Sequence, residues 1–331
     1  MLTLLLLACA PKEPPPPPPV PAGEPGQAEL VTEGPLSARV STAAADLVLF
    51  YGGEHQGSIE TCGCPNRPRG SLTRMRSYLD ASRAANPGTP DLVLHGGYWL
   101  EDATDFDGGL RPDVPVMNRW MLAGLEAVGV DAVNTTFHDL PGLVALDAAP
   151  PWAVSANVVA AGEGAVAPAR WRIVERGGLK IGVTGITARG ATLGETGGLR
   201  VEDPYAPGLA ALQELAPQVD LLVLMAYQSP EIARDLAAAV PELDVVIDTA
   251  MHRSFYEPVV VGDALWLRSH YQTMRLGELR LARADDGWAL VVDRRIDLDP
   301  EVPDAPEMAA LVTASRDELE AVQKALYGDK E

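Results

Sequence analysis

The stretch Asp46-Leu-Val-Leu-Phe-Tyr51, followed directly by Gly52-Gly53, sets the pattern on which the fold depends. A short, continuous apolar run that ends in glycines predicts a buried strand followed by a loop. Helical stretches rich in Ala and Leu, at 206–216 and 231–240, precede two further runs of this kind. The pattern recurs at Asp91–His95, Val130–Asn134, Leu179–Thr184, Asp220–Met225 and Asp244–Asp248. Strands that alternate with helices predict an α/β fold whose sheets are covered by helices.

After residue 255 the pattern changes to short strands joined by tight turns. The runs at 258–262, 264–268, 276–281 and 288–292 predict antiparallel hairpins. The tail at 306–327 then predicts a C-terminal helix with one apolar stripe. That stripe either packs on its own domain or forms a coiled-coil seam with a partner. The first is favoured, because the helix is only about three heptads long, which is short for a coiled coil.

The N-terminal segment combines an apolar run with a proline-rich stretch. Leu2 to Ala8 are almost all apolar and end at Cys9, a run too short to span a bilayer, which needs about 20 residues. The box Leu6-Leu7-Ala8-Cys9 resembles a bacterial lipoprotein signal, which implies a lipid on Cys9, and Ala10 favours the outer membrane, on its periplasmic side. The alternative is an apolar terminus with an incidental cysteine. The prolines at 14–19, 21 and 25 predict an extended polyproline II linker.

The formal net charge of −20 over 331 residues bears on the class of partner. Binding to nucleic-acid phosphates needs clustered Lys and Arg, so we expect no nucleic-acid partner. The partner expected from the N-terminal segment is the membrane, through the lipid anchor.

Several strand-and-loop segments between about 46 and 282 resemble the 5′-nucleotidase branch of the calcineurin-like metallophosphoesterases. The segments that carry the resemblance are Gly70–Arg74, Val128–Val133, Ala153–Val158 and Gly178–Ile186. The resemblance implies a four-layer αββα sandwich with mixed sheets, hairpins near the C-terminus and a C-terminal helix. With the N-terminal segment included, the expected domains are a lipoprotein signal peptide and lipobox at 1–9, a Pro-rich disordered linker at 10–43, a metallophosphoesterase-like domain at 44–300 and a C-terminal helix at 301–331.

The family's metal motifs are mostly altered in this sequence. Asp-x-His falls on Glu54-His55-Gln56, and the metal-bridging Asp falls on Tyr98. Gly-Asn-His-Glu falls on Thr136-Phe137-His138-Asp139, the lone His on Tyr227, and Gly-His-x-His on Ala250-Met251-His252. A pair of divalent ions needs a bridging carboxylate and several imidazoles, so we expect dimetal hydrolysis to be lost or severely weakened.

The remaining polar side chains suggest a reduced site. Four of the five histidines, His55, His95, His138 and His252, lie in or beside the altered motifs. Glu54, His55, His138 and His252 are candidate ligands for one Zn²⁺ or Mn²⁺ ion, and the alternative is a cleft lined by polar residues with no metal. The catalytic candidates are His138 and Asp139. If active, the protein is expected from the resemblance to be a metal-dependent phosphoric ester hydrolase of the 5′-nucleotidase type, with a small-molecule phosphate ester as its partner.

Cys62 and Cys64 stand just after the first altered motif. They are a redox-active dithiol, soft metal ligands together with His55, or a structural disulfide. Three functions therefore remain open: a weakened phosphoesterase, a non-catalytic binding or scaffold lipoprotein, and a thiol-redox or metal-handling protein.

Overall fold

The computed structural model describes residues 44–62, 64–146, 149–192, 194–249, 258–285 and 287–328. The predicted lipidation residue Cys9, the linker and the candidate ligand His252 lie outside these ranges. Within them, no helix has the length and apolar character needed to cross a membrane.

In chain order the strands are β1 (Leu47–Gly52), β2 (Asp91–His95), β3 (Ala132–Asn134), β4 (Ala153–Val154), β5 (Val158–Ala160), β6 (Trp171–Arg176), β7 (Leu179–Thr187), β8 (Leu199–Val201), β9 (Leu221–Tyr227), β10 (Val245–Thr249), β11 (Val259–Val261), β12 (Ala264–Arg268), β13 (Arg275–Ala284) and β14 (Gly287–Asp297). The helices are α1 (Leu72–Ala85), α2 (Val114–Val128), α3 (Leu140–Leu146), α4 (Tyr205–Leu215), α5 (Pro230–Ala239) and α6 (Ala309–Tyr327).

The described strands form two large mixed sheets of six strands each. The first has the order β14-β13-β1-β2-β3-β4, with β1 to β4 parallel and β13 antiparallel to β1. The second has the order β11-β12-β10-β9-β7-β6, and its four inner strands are parallel. The pairs β11–β12 and β13–β14 are antiparallel, as the sequence predicts.

Alternation along β1 explains how the layers stack. Side chains on a strand point alternately to opposite faces. Leu47, Leu49 and Tyr51 share a buried cluster with residues of the second sheet, so this face lies between the sheets. Val48 and Phe50 pack instead with residues of α1 and α2. A third cluster covers the outer face of the second sheet with α4 and α5, and the four-layer αββα prediction is confirmed.

The segment Ala153–Val158, one of those that carry the resemblance, does not form a single strand. It splits into β4, at the edge of the first sheet, and β5, which pairs antiparallel with β8. Asn157 fixes the chain between β4 and β5. Its side-chain amide accepts a hydrogen bond from the Thr187 N–H at 2.9 Å and donates one to the Thr187 carbonyl at 2.8 Å.

The terminal helix α6 packs against α2. Leu311 and Val312 lie against the helix-covered face of the first sheet, and the Trp120 indole N–H donates to Glu318 at 2.9 Å. Leu326, near the end of α6, is 40% exposed. The first turns of this helix are therefore bound to its own domain.

Candidate functional site

The carboxyl ends of the inner strands of both sheets meet at one edge of the sandwich. Asn134, the last residue of β3, joins them there through its side-chain N–H₂ group, which donates to the Gly96 carbonyl at 3.2 Å and to the Ile186 carbonyl in β7 at 2.9 Å. A Cβ atom on Gly96 would lie 1.9 Å from the Thr249 hydroxyl, so only glycine permits this approach. The loops that carry the altered motifs therefore form one cluster.

Backbone strain is concentrated in the same cluster. Among the described residues, most non-glycine positions with positive φ lie in these loops or just before β13. They are Glu54, Gln56, Tyr98, Gln228, Gln272 and Thr273. Left-handed backbone at such residues costs free energy and persists where surrounding contacts impose it, often at functional sites. The strain marks this edge of the sandwich as the candidate site.

His55 and His95 form a buried pair inside the cluster. His55 Nδ1 lies 2.7 Å from His95 Nε2, and the rings stack with centroids 4.9 Å apart. The Gly97 N–H donates to His95 Nδ1 at 3.2 Å, which assigns the proton of His95 to Nε2 and makes it the donor to His55. The proton of His55 then lies on Nε2, which has no hydrogen-bond partner among the described residues.

Burial keeps this histidine pair neutral. The two side chains belong to residues that are 2% and 1% exposed. Desolvation lowers the pKa of His55 to about 3 and holds the pKa of His95 well below its ordinary value. A neutral pair of this kind cannot supply positive charge to a phosphate group.

Glu54 is a buried carboxyl group beside the pair. It is 1% exposed, and its Oε1 atom has no hydrogen-bond partner in the described part of the chain. Burial and, after it, the negative charge of Asp248 together raise the pKa of Glu54 to about 7. Glu54 is therefore partly protonated near neutral pH.

His138 takes part in a second, different arrangement. Its Nδ1 lies 2.6 Å from Asp102 Oδ2, and the Tyr98 hydroxyl donates to Asp102 Oδ1 at 2.9 Å. The ring stacks on Tyr98 with centroids 4.0 Å apart, and the side chain is 16% exposed. Asp102 holds the Nδ1 proton of His138 and so leaves Nε2 available for proton transfer.

Asp139, the second catalytic candidate, is fully buried. Its Oδ1 accepts the N–H groups of Trp99 and Leu100, both at 2.9 Å. Its Oδ2 accepts from the Thr136 N–H at 2.8 Å and from the Thr136 hydroxyl at 2.7 Å. Desolvation raises the pKa of Asp139 to about 6 in spite of these bonds. These contacts fix the loop that carries His138, and a catalytic role for Asp139 stays a prediction.

Three aromatic side chains stand where the resemblance assigns metal ligands. Tyr98, Phe137 and Tyr227 form one buried cluster, with ring centroids 6.2 Å apart for Tyr98–Tyr227 and 6.0 Å for Phe137–Tyr227. His138 packs on Phe137 at 4.0 Å and meets Tyr227 edge-on at 5.9 Å. Phe137 has no donor atom, and the raised pKa values of Tyr98 and Tyr227 keep their hydroxyl groups protonated. The residues present therefore do not fit a dinuclear centre, which needs a bridging carboxylate and several imidazoles.

The candidate ligands for a single ion are also divided. The structure places His55 with His95, and His138 with Asp102, and His252 lies outside the described residues. Over the described ranges, no group of three or more His, Cys, Asp or Glu side chains is arranged to hold a metal ion.

Asp102 and His95 are the polar partners that motif alignment does not assign. Asp102 pairs with His138 across 36 positions of sequence, and His95 pairs with His55 across 40. For His95 a signal exists, since it ends a predicted strand beside the site. For Asp102 the sequence carries no such signal, because the position of this residue depends on the path of the loop after β2.

Cys62 and Cys64 are both free thiols in the loop that leads to α1. Cys62 is half-buried and Cys64 is exposed. Because His55 is bound within the buried histidine pair, the structure does not join it to these sulfurs.

The described fold is similar to several solved structures. Sulfate thiohydrolase SoxB from Thermus thermophilus matches with a TM-score of 0.66 and 16% identity, over 84% of this chain and 62% of its own. A 5′-nucleotidase precursor from Thermus thermophilus matches with a TM-score of 0.66 and 18% identity, over 84% of this chain and 60% of its own. The calcineurin-like phosphoesterase YfkN from Bacillus subtilis matches with a TM-score of 0.64 and 15% identity, over 85% of this chain and 100% of that structure.

The chain thus spans about three fifths of the two Thermus structures. No protein-family model and no curated protein sequence matches it. At these low identities the similarity concerns architecture, and this chain has the fold of the calcineurin-like phosphoesterases and of 5′-nucleotidase domains.

Proposed function

We propose that this chain is an exported, lipid-anchored protein that uses a metallophosphoesterase-like domain as a binding scaffold and does not carry out dimetal hydrolysis. The observation that carries the proposal is the cluster of Tyr98, Phe137 and Tyr227. These rings fill the positions that the sequence resemblance gives to metal ligands, and they pack on each other and on His138.

The charge around the cluster supports the same conclusion. Desolvation raises the pKa of Tyr227 far above its ordinary value, and the nearby carboxyl groups of Glu54 and Asp139 raise it further. The pKa of Tyr98 is also raised, first by desolvation and then by the negative charges of Asp102 and Asp139. A phosphate ester that enters such a site without cations meets carboxylates of its own sign, which disfavours its binding.

The lipid anchor is the part of the proposal that rests on sequence. The box that ends at Cys9 and the proline-rich stretch after it support a tether to the outer membrane, on the periplasmic side. In the native host, Cys9→Ser should move the protein from the membrane fraction to the soluble fraction. Membrane retention of that variant would remove the lipid from the proposal.

The proposed absence of dimetal hydrolysis is tested by assaying the purified protein on adenosine monophosphate and on p-nitrophenyl phosphate, each with Mn²⁺, Zn²⁺ or Co²⁺. We expect rates equal to those of the metal in buffer, the same in wild type and His138→Ala, and less than stoichiometric metal by elemental analysis. A metal-dependent rate that disappears in His138→Ala would overturn the proposal.

A second candidate is a metal-independent hydrolase based on His138. The favouring observation is the 2.6 Å contact with Asp102, which orients the ring so that Nε2 can accept a proton from water or give one to a leaving group. A neutral ester is the substrate class that fits the negative surroundings. Hydrolysis of p-nitrophenyl acetate that persists in EDTA and falls at least tenfold in His138→Gln would favour this candidate.

A further inference from the structure

We propose that Cys62 and Cys64 form a thiol–disulfide exchange site, in which Cys64 forms the mixed disulfide with a thiol substrate and Cys62 is the resolving sulfur. The site lies on the loop between β1 and α1, outside the aromatic cluster. Its substrates are dithiols of peptides or proteins.

The loop that carries the two sulfurs is closed by paired contacts. Thr61 and Gly70 form an antiparallel bridge, and the Cys62 N–H donates to the Arg69 carbonyl at 2.8 Å. The Arg74 guanidinium donates to the Pro68 carbonyl at 2.7 Å and so fastens the loop to the start of α1. These contacts hold the backbone of Cys62 in place, which reduces the entropy lost when its sulfur reacts.

The environment of Cys62 favours its thiolate. The Arg69 N–H donates to Cys62 Sγ at 3.3 Å. Desolvation raises the pKa of Cys62, but the hydrogen bonds from Arg69 and Cys64 and the charge of Arg69 outweigh it, so this pKa lies below its ordinary value. The pKa of Cys64 is raised, first because its thiol is hydrogen-bonded to Cys62. The two thiols are therefore joined by a hydrogen bond, and their pKa values are shifted in opposite directions.

Exposure and thiolate stability together assign the order of steps. Cys64 is exposed, so in the oxidised form a substrate thiolate attacks Cys64 Sγ, the Cys62–Cys64 bond breaks and Cys62 leaves as the stabilised thiolate. The second thiolate of the substrate then attacks the substrate sulfur of the mixed disulfide, and Cys64 leaves and takes up a proton. The substrate dithiol has lost two electrons to become a disulfide, and the cysteine pair has gained them. In the reverse direction Cys62 resolves the mixed disulfide.

The experiment uses the full chain with Cys9→Ser, so that only these two thiols react. The protein is equilibrated with mixtures of reduced and oxidised glutathione, quenched in acid, alkylated and analysed by peptide mass spectrometry. We expect a Cys62–Cys64 disulfide that forms and is reduced reversibly across the series. With Cys62→Ser added, the glutathione adduct on Cys64 should exceed, by at least tenfold, the adduct left on Cys62 when Cys64→Ser is added instead.

The charge contribution of Arg69 is tested by reduction kinetics. Arg69→Gln should slow the reduction of the disulfide by dithiothreitol by about threefold, because a less stabilised Cys62 leaves more slowly. Arg316→Gln is the matched control, since that arginine pairs with Glu60 near the same loop, whereas the charge that lowers the pKa of Cys62 is that of Arg69. Its reduction rate should equal that of the parent.

Three outcomes would overturn the proposal. The first is failure of Cys62 and Cys64 to form a disulfide at any glutathione ratio. The second is a preference of the adduct for Cys62. The third is stoichiometric Zn²⁺ or Cu⁺ on the purified protein that blocks alkylation of both thiols, which would make them metal ligands. None of these results depends on phosphoesterase activity.

Discussion

The His55–His95 pair and the His138–Asp102 pair lie in neighbouring loops, yet their surroundings give them opposite properties. In the first pair an imidazole faces an imidazole, both rings are buried, and desolvation lowers both pKa values. In the second, the imidazole faces a carboxylate and its side chain is 16% exposed. A histidine near the altered motifs is therefore not by itself a catalytic group, because its hydrogen-bond partner and its exposure to solvent decide what it can do.

The first pair contributes to the stability of the fold, whereas the second leaves a ring nitrogen available for chemistry. His95 uses both ring nitrogens, one with His55 and one with the Gly97 N–H, and so ties together the loops after β1 and β2. His138 keeps Nε2 outside its contact with Asp102. We expect substitutions in the first pair to act on the free energy of unfolding, and substitutions around the second to have smaller effects on it.

The largest expected effect is that of His95→Ala. It removes the acceptor of the Gly97 N–H and the donor to His55, and it leaves a cavity, so the free energy of unfolding should fall by about 4 kcal/mol. Urea denaturation followed by circular dichroism measures this. His138→Ala is the matched control, with an expected loss of about 1 kcal/mol. Equal losses in the two variants would contradict the difference drawn between the pairs.

The next effect is on the pH dependence of stability. The neutral histidine pair has lowered pKa values in the folded state, so it makes the protein less stable as pH falls below 6.5, down towards the value of about 3 for His55. Glu54 acts in the opposite direction, because its pKa rises from 4.5 to about 7 on folding. Its contribution is fully present below 4.5 and is lost as pH rises through about 7.

Glu54→Gln removes this opposing contribution. The acid-side fall in the free energy of unfolding should therefore become steeper by about 1.4 kcal/mol per pH unit between the two pKa values of Glu54. Urea titrations at pH 5, 6 and 7 compare the variant with wild type, and Glu60→Gln is a control at a surface carboxylate paired with Arg316. Parallel pH profiles for wild type and Glu54→Gln would show that Glu54 titrates as an ordinary carboxyl group.

The smallest effect concerns the His138–Asp102 pair. Tyr98→Phe keeps the ring that stacks on His138 and removes the hydroxyl that donates to Asp102, so the loss should be about 1 kcal/mol. Tyr78→Phe is a comparison at another hydroxyl, one that donates to Glu278 at 2.5 Å. A loss from Tyr98→Phe as large as that from His95→Ala would mean that this hydroxyl supports the whole cluster.

Much of the fold follows from local patterns in the sequence. Runs such as Asp91–His95 and Ala264–Arg268 coincide with β2 and β12, because short, continuous apolar runs bounded by turn residues are typical of strands buried on both faces. The split of Ala153–Val158 into β4 and β5 was not predictable, because it depends on the side-chain amide of Asn157 and its two bonds to Thr187, a residue 30 positions away.

The sequence by itself determined the alternation of strands and helices and the replacement of expected metal ligands by Tyr98, Phe137 and Tyr227. Both can be read from the residue types and their order along the chain. Only the tertiary structure decided that those rings pack together, that His55 pairs with His95 and that Asp102 pairs with His138. The physical reason is that each contact joins loops that follow different strands. Their distance depends on how the two sheets pack and on strained backbone at positions such as Glu54, which no local pattern encodes.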